Sequence, residues 1–132
     1  MAGDSMVRYA RVGDGAHLAF RTAGTGPVDL VEVGGFGSLF SLESSDDLPQ
    51  LVRFETELAR FGRLVRFDTR GVGLSDGLTG PWSLDRAVDD VVAVMDAAES
   101  PHAAVLAPGW GGPIGIRLAV RYPHRIDRLI VV

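Results

Sequence analysis

The chain of 132 residues is 46% hydrophobic and 23% charged, a balance that favours a folded globular domain over a disordered chain. Its formal charge of −4 is spread along the sequence, which excludes the basic surface of a nucleic-acid-binding protein. No apolar run approaches the roughly 20 residues that span a bilayer, and there is no cysteine for disulfide or thiol chemistry. We therefore expect one domain over residues 1–132, in the cytoplasm, with no metal and no cofactor.

Two short strands at the start of the chain predict an antiparallel hairpin. Residues 7–12 alternate apolar and polar side chains, which is typical of a half-exposed strand, and residues 17–22 form the returning strand. Gly13-Asp14-Gly15 supplies the turn, because glycine adopts a positive φ without strain.

A third strand is predicted over residues 28–33, which are mostly apolar and bounded by glycine. The glycine-rich segment 34–38 follows directly. Its glycines allow a ligand to approach the backbone closely, but the same composition is typical of a plain flexible loop. The pattern leaves both interpretations open.

The next helix is predicted to begin at Asp46 and Asp47, with Pro49 in its first turn. Its apolar residues recur at helical spacing and predict a single face packed in the core, formed by Leu51, Phe54, Leu58 and Phe61. Gly62 is expected to end the helix in a left-handed conformation.

A strand over residues 63–67 leads into a second glycine-rich run, residues 68–77. The run is not a phosphate-binding loop of the Walker type, because that pattern requires a lysine and none is present. Nor does it open a helix, as a dinucleotide-binding fingerprint would. Asp68 and Ser75 are candidates for a substitute nucleophile, but the favoured interpretation is that Asp68 organises this turn and Ser75 caps it.

Ser83 is a predicted N-cap, followed by a helix with a wide buried face. That face is formed by Leu84, Val88, Val91, Val92, Met95 and Ala98. The opposite side of the helix is predicted to be solvated rather than metal-binding, and carries Asp85, Arg86, Asp89, Asp90 and Asp96.

A strand, a glycine-rich tight turn and a helix follow at residues 102–107, 107–113 and 114–122. This layout is that of a nucleophile elbow, whose G-x-S-x-G pattern places a serine at the turn. Gly109 stands where that serine would be. Small residues recur along the helix at every fourth position and allow it to lie close to the sheet. A last, apolar strand is predicted over residues 127–132.

The alternation of strands and helices after residue 28 predicts a largely parallel sheet with right-handed crossovers. Two motifs carry a family resemblance. One is D-x-R-G-x-G-x-S, made by Asp68, Arg70, Gly71, Gly73 and Ser75, and the other is A-P-G-W-G-G-P at residues 107–113. With a capped helix between them, they resemble the N-terminal half of the α/β-hydrolase superfamily. Residues 61–76 and 89–98 are most similar to the hydrolase-like domains attached to actinobacterial adenylyl cyclases.

The resemblance implies an α/β fold: the N-terminal portion of an α/β-hydrolase, with a mostly parallel sheet of about six strands, an N-terminal antiparallel hairpin and flanking helices. It places the nucleophile position at Gly109, and the oxyanion-hole donors at the backbone N–H groups of Trp110 and of Phe36, which follows Gly35. The acid and the histidine of the family's triad belong to segments beyond residue 132. We therefore expect no catalytic residue in this chain, and none of its three histidines replaces the family's.

We favour the first of three functions and keep the other two as alternatives. The first is a catalytically impaired hydrolase-like module that binds a small acyl or ester-like ligand or regulates an attached C-terminal domain. The second is a fragment of a serine-type ester hydrolase, which the glycine at position 109 argues against. The third is a structural half-fold that forms a homodimer through its apolar last strand, because that strand would otherwise be an exposed edge. No nucleic-acid or membrane partner is expected.

Overall fold

The computed structural model describes residues 6–34 and 40–132, which form six strands and four helices. The strands are β1 Arg8–Arg11, β2 His17–Ala23, β3 Asp29–Glu32, β4 Arg63–Phe67, β5 Ala103–Ala107 and β6 Ile126–Val131. The helices are α1 Leu42–Asp46, α2 Pro49–Ala59, α3 Leu84–Ala97 and α4 Gly111–Arg121.

All six strands belong to one sheet, in the order β1-β2-β4-β3-β5-β6. The pairs β1–β2 and β2–β4 are antiparallel, whereas β4–β3, β3–β5 and β5–β6 are parallel. The predicted α/β fold, with its N-terminal hairpin, parallel sheet and flanking helices, is therefore confirmed. Because β3, β4 and β5 run in the same direction, the loops that follow them meet at one edge of the sheet.

The two faces of the sheet are covered unequally. Helices α3 and α4 pack on one face and enclose the main hydrophobic core with alternate side chains of the strands. The largest fully buried residues of that core include Leu18, Phe20, Val31, Val65, Val88, Val91, Met95 and Leu118. On the other face the apolar cluster is small, with four buried residues and Leu58 of α2 packed against it.

The predicted core face of α2 is wrong. Phe54 and Phe61 are 48% and 65% exposed, and Leu51 and Leu58 are only partly buried. The buried residue of this helix is instead Glu55.

Two arginines on the sheet explain why α2 turns the Glu55 carboxylate, rather than its apolar residues, toward the sheet. Arg21 and Arg66 are cross-strand neighbours on β2 and β4, and both are buried beneath the helix. Glu55 lies 2.5 Å from Arg66 Nη1 and 3.9 Å from Arg21 Nη2. Two buried like charges side by side need a nearby carboxylate, and satisfying them outweighs burying the apolar face of the helix. Periodicity along one helix cannot reveal what the opposing surface carries.

Pro49 lies in the first turn of α2, as predicted, but the predicted acidic N-cap and the predicted left-handed stop at Gly62 are wrong. The N-cap of α2 is Leu48, which makes no side-chain capping bond, whereas Asp46 belongs to α1 and accepts hydrogen bonds from Arg21. At the other end, the right-handed residue Arg60 follows the helix, and Gly62 does not have a positive φ. Gly62 is instead required by packing, because a Cβ there would lie 2.8 Å from the Val28 carbonyl oxygen.

The predictions for α3 hold for its N-cap and its buried face. The Ser83 hydroxyl accepts a hydrogen bond from the Arg86 backbone N–H at 3.1 Å. Val88, Val91, Met95 and Ala98 are buried, as predicted. Leu84 and Val92, also predicted on this face, are partly buried and pack against the core. The helix thereby covers the β1–β2 end of the sheet as well as α4.

Candidate functional site

The candidate site is at the sheet edge where β3, β4 and β5 end. Gly34 follows β3, the run that begins at Asp68 follows β4, and the elbow at Pro108 follows β5. Gly35 and Phe36, the predicted oxyanion-side residues, lie outside the described residues. The described part of the site consists of the elbow and the loop after β4.

The turn between β5 and α4 has the backbone of an elbow. Gly109 adopts a φ of +54°, a left-handed conformation that a residue with a side chain adopts only with strain. The Gly111 and Gly112 N–H groups donate to the carbonyl oxygens of Pro108 and Gly109, at 2.9 and 3.0 Å, so the helix starts at once. The chain thus reverses direction within about two residues of the end of the strand.

Glycine is needed for different reasons at different positions of this turn. A Cβ at Gly111 would overlap the Val33 carbonyl oxygen, and one at Gly115 would lie 2.8 Å from the Ala107 Cβ. At Gly109, by contrast, a Cβ would meet no atom of the described residues within 4 Å. The close approach of α4 to the sheet fixes Gly111 and Gly115, whereas only the backbone conformation favours glycine at 109. The described residues thus leave room for a side chain at position 109, which is where the family resemblance places the nucleophile.

Trp110 presents both its side chain and its backbone N–H at this edge. The indole is 79% exposed. Among residues 6–34 and 40–132, nothing accepts a hydrogen bond from the Trp110 backbone N–H. This group lies at the start of α4, where the helix dipole favours a partial negative charge. It is the position that the family resemblance gives to an oxyanion-hole donor.

The loop after β4 is closed by Asp68 and Ser75. Asp68 is 2% exposed, and its two oxygens accept hydrogen bonds from the backbone N–H groups of Leu42 and Leu74, at 2.8 and 2.9 Å. The Ser75 hydroxyl donates to the Asp68 carbonyl oxygen at 2.5 Å and accepts from the Ala19 N–H at 2.9 Å. Both side chains are fully engaged in holding the loop, which leaves neither free to attack a substrate.

Gly71 and Gly73 give this loop its shape. They adopt φ values of +79° and +52°. A Cβ at Gly73 would overlap the Asp68 carboxylate, so the glycine also makes room for that side chain. The glycine spacing of the motif is therefore explained by local geometry.

Arg70 joins the loop to two distant elements. Its Nε and Nη2 donate to Asp90 on α3 at 2.7 and 2.9 Å, and its Nη1 donates to Asp14 in the β1–β2 turn at 2.7 Å. Hydrogen bonding to Arg70 holds the pKa of Asp14 well below its usual range, and hydrogen bonding to Asp90 raises the pKa of Arg70. The guanidinium is thus a permanently charged tie between β4, α3 and the hairpin.

The predicted solvation of Asp90 is wrong, because its residue is only 6% exposed and faces Arg70. Helical periodicity placed it on the polar side of α3, but a buried arginine requires a carboxylate partner within reach. Sequence reasoning also missed Asp14 as the second partner. Arg70, as the one cation in the glycine-rich run 68–77, was the sequence feature that could have indicated both carboxylate partners.

The histidines do not reach the elbow. His17 begins β2 and lies 3.4 Å from Asp76 at the same edge of the sheet, but β2 is three strand spacings, about 14 Å, from β5. His102 precedes β5 and contacts Asp127 at 2.5 Å, at the opposite edge, and His124 lies in the connection to β6. A triad cannot be assembled at Gly109 from these side chains.

The part of the chain that the structure describes contains neither a cluster of metal ligands nor a membrane-spanning helix. No three His, Cys, Asp or Glu side chains come together as a metal site in residues 6–34 and 40–132. Within the same residues, every helix is too short or too polar to span a bilayer.

Comparison with known proteins adds independent information. The sequence model of the family described as alpha/beta hydrolase fold matches residues 57–132. The chain is 35% identical over 68 residues to 3-oxoadipate enol-lactonase 2 of Acinetobacter baylyi, a match that covers 52% of this chain and 26% of that enzyme.

Solved structures agree with this. A hydrolase from Pseudomonas aeruginosa superimposes with a TM-score of 0.80 at 34% identity, covering 95% of this chain and 44% of that one. The enol-lactonase from Burkholderia xenovorans gives a TM-score of 0.77 at 30% identity, covering 92% and 45%. The chain thus spans less than half the length of these relatives. The sheet topology, the elbow and the family match together show that this chain belongs to the α/β-hydrolase fold family.

Proposed function

We propose that this chain is a ligand-binding α/β-hydrolase module that accepts a small acyl or ester-like compound at its elbow without attacking it. One observation carries the proposal: Gly109 keeps the left-handed elbow conformation and the open space of a nucleophile position, but has no nucleophile. Removing the nucleophile from such a site leaves only binding and electrostatic stabilisation.

The Trp110 N–H supports recognition of a carbonyl or carboxylate oxygen. It has no partner among the described residues and stands at the N-terminal end of α4. Preorganised backbone donors of this kind stabilise negative charge on an acyl oxygen. The N–H of Phe36 would be the second donor, as the family resemblance implies.

The test uses two substitutions at the same residue. Trp110 has a φ of −67°, which proline also adopts, so Trp110→Pro removes the N–H with little change in backbone conformation. Trp110→Ala keeps the N–H and removes the exposed indole. Butyrate and ethyl butyrate serve as probes, with affinity measured by NMR titration.

For butyrate we expect roughly 10- to 150-fold weaker binding to Trp110→Pro, since a hydrogen bond to a charged acceptor contributes about 1.5–3 kcal/mol. The alanine variant should lose less than the proline variant. Equal affinity in wild type and Trp110→Pro, or saturable turnover of ethyl butyrate by the wild type, would contradict the proposal.

A second candidate is a portion of a serine-type ester hydrolase. It is favoured by the 34% identity to the solved hydrolase from Pseudomonas aeruginosa. That hydrolase is more than twice as long as the part of it that aligns with this chain. A longer chain would supply the acid and the histidine, but Gly109 would still lack the attacking oxygen. A fluorophosphonate probe applied to the full-length product of the gene separates the two: covalent labelling would favour the hydrolase, and its absence the binding module.

We further propose a cytoplasmic location and a regulatory role for an attached C-terminal domain, of which an adenylyl cyclase is the example that the sequence resemblance suggests. The lack of cysteine supports the location. Reading the gene beyond the codon for Val132 tests the role, because an output domain in frame would favour it and a stop codon would contradict it.

A structural, homodimeric half-fold is the third candidate. Ile130 and Val131 at the β6 edge are 47% and 50% exposed, and pairing of two such edges would cover them. Solution mass measured across a range of concentrations tests this candidate: a constant monomer mass contradicts it.

A further inference from the structure

A cavity lies between the loop after β4, the first two turns of α3 and the first turn of α4. Its walls are mainly apolar and are formed by Phe67, Leu78, Trp82, Ala87, Val91 and Ile114. Gly34 also borders it, but Gly109 and Trp110 do not. The cavity is therefore adjacent to the elbow site and distinct from it.

The polar group that matters in this cavity is the Thr69 hydroxyl. Thr69 lines the cavity, and its Oγ1 is shielded from solvent without a hydrogen-bond partner among the described residues. Buried hydroxyl groups in proteins almost always have a partner, either a protein group or an ordered molecule. An unpaired hydroxyl in an apolar cavity therefore points to an occupant that forms this hydrogen bond.

The charged residues at the cavity leave it without net attraction for an ion. Arg70 is paired with Asp90 and with Asp14, and Arg86 donates to Asp14 at 3.0 Å. With each arginine already facing a carboxylate, an ionic ligand would find no free partner there, and the desolvation of its charge would not be repaid. The occupant should be uncharged.

The size of the cavity limits the occupant further. Its volume is about 30 Å³. One water needs roughly 10–15 Å³ by this kind of measure, and an engineered cavity that binds benzene has roughly 150 Å³. A molecule of two or three non-hydrogen atoms fits, whereas an aromatic ring does not.

Residues 78–82 form a strap between the cavity and solvent. Arg86 holds the strap by donating to the carbonyl oxygens of Thr79 and Pro81. Leu78 and Trp82 are 38% and 43% exposed, so one layer of side chains separates the cavity from water.

We propose that this cavity is a binding site for a small uncharged alcohol, with Thr69 Oγ1 as its hydrogen-bond partner and the apolar walls around its alkyl group. The proposal does not depend on the elbow. Its failure would leave the proposed function standing, because the tests of that function involve only position 110.

Methanol is titrated into the whole chain. Its binding is monitored through the NMR signals of the methyl groups of Thr69, Val91 and Ile114. We expect saturable shifts of these signals in the wild type. Thr69→Val removes the hydroxyl at nearly the same volume and should abolish the saturation, leaving a small linear solvent effect. Thr69→Ser keeps the hydroxyl and should keep the saturation.

Thr56→Val is the matched control, because the Thr56 hydroxyl donates to the Val52 carbonyl oxygen on α2, on the other side of the sheet. It should bind methanol as the wild type does. Linear shifts in the wild type, with water-to-methyl cross-peaks at Thr69, would mean that the cavity holds only water and would overturn the proposal. Saturation that persists in Thr69→Val would also overturn it.

Discussion

Two glycine-rich turns lie at the same edge of the sheet and differ in how their polar groups are used. In the loop after β4, the Asp68 carboxylate and the Ser75 hydroxyl are bonded to backbone groups of the loop, α1 and β2. In the elbow after β5, the Trp110 N–H has no partner among the described residues, and the space beside Gly109 is open. The side chains of Asp68 and Ser75 are used to hold their loop, whereas the elbow keeps an unpaired donor beside open space and is suited to a ligand.

The largest expected effect tests the structural assignment of the first loop. Arg70→Met should lower the free energy of unfolding by about 3–5 kcal/mol, because it leaves Asp90 buried and unpaired. Arg117→Met is the control: that arginine is half exposed and pairs with Asp85 on the surface, so the loss should be below about 1 kcal/mol. Urea denaturation measures both. Similar losses for the two variants would mean that the Arg70 tie does not hold the loop.

The next effect concerns the glycines that bring α4 against the sheet. Gly111→Ala should cost about 3 kcal/mol, because its Cβ would overlap backbone rather than a side chain that can move. Gly13→Ala, in open space in the hairpin turn, is the control and should change stability little. Thermal unfolding provides the comparison, and a Gly111→Ala protein as stable as the control would contradict the close approach.

A smaller effect is expected where the elbow has space. Gly109→Ser should destabilise the protein by about 1–3 kcal/mol through the positive φ alone. It should not create esterase activity, since no described histidine reaches the elbow to activate the hydroxyl. Denaturation and a p-nitrophenyl acetate assay measure the two parts. Turnover above the wild-type background would contradict this prediction, because it would mean that a general base does activate the new serine hydroxyl.

The smallest effect is a change in pH dependence at the hairpin. Arg70 lowers the pKa of Asp14 in the folded state, so the stability due to Asp14 is complete above its unfolded pKa, about 3.9, and is lost as the pH falls below it. The difference in unfolding free energy between wild type and Asp14→Asn should therefore shrink from about pH 5 to about pH 2.5. A gap for Asp14→Asn that widens in acid would reverse the assigned sign.

Much of the fold could be predicted because its signals are local. The hairpin alternation, the Ser83 cap, the buried face of α3 and the strand–turn–helix at the elbow each depend on residues that are neighbours in sequence. The same holds for Gly109, whose place in the pattern identified both the elbow and the missing serine before any contact was known.

The two errors about buried side chains share one cause. The inward position of Glu55 depends on two arginines from β2 and β4, and the burial of Asp90 depends on an arginine 20 residues earlier in the chain. Helical periodicity describes one surface of a helix and contains nothing about the surface that it meets. A buried charge overrides apolar patterning, because leaving it unpaired costs more than exposing a phenylalanine.

The sequence by itself determined the order of the six strands and of α2, α3 and α4, the family and the glycine at the elbow, since these follow from residue identity and spacing. It did not predict the short helix α1. Only the tertiary structure decided which carboxylates are buried, which glycines are required by contact and where a cavity surrounds an unpaired hydroxyl. Those properties arise from groups that are distant in the chain and meet only when the sheet is assembled. Their energies depend on that meeting and on the exclusion of water from it.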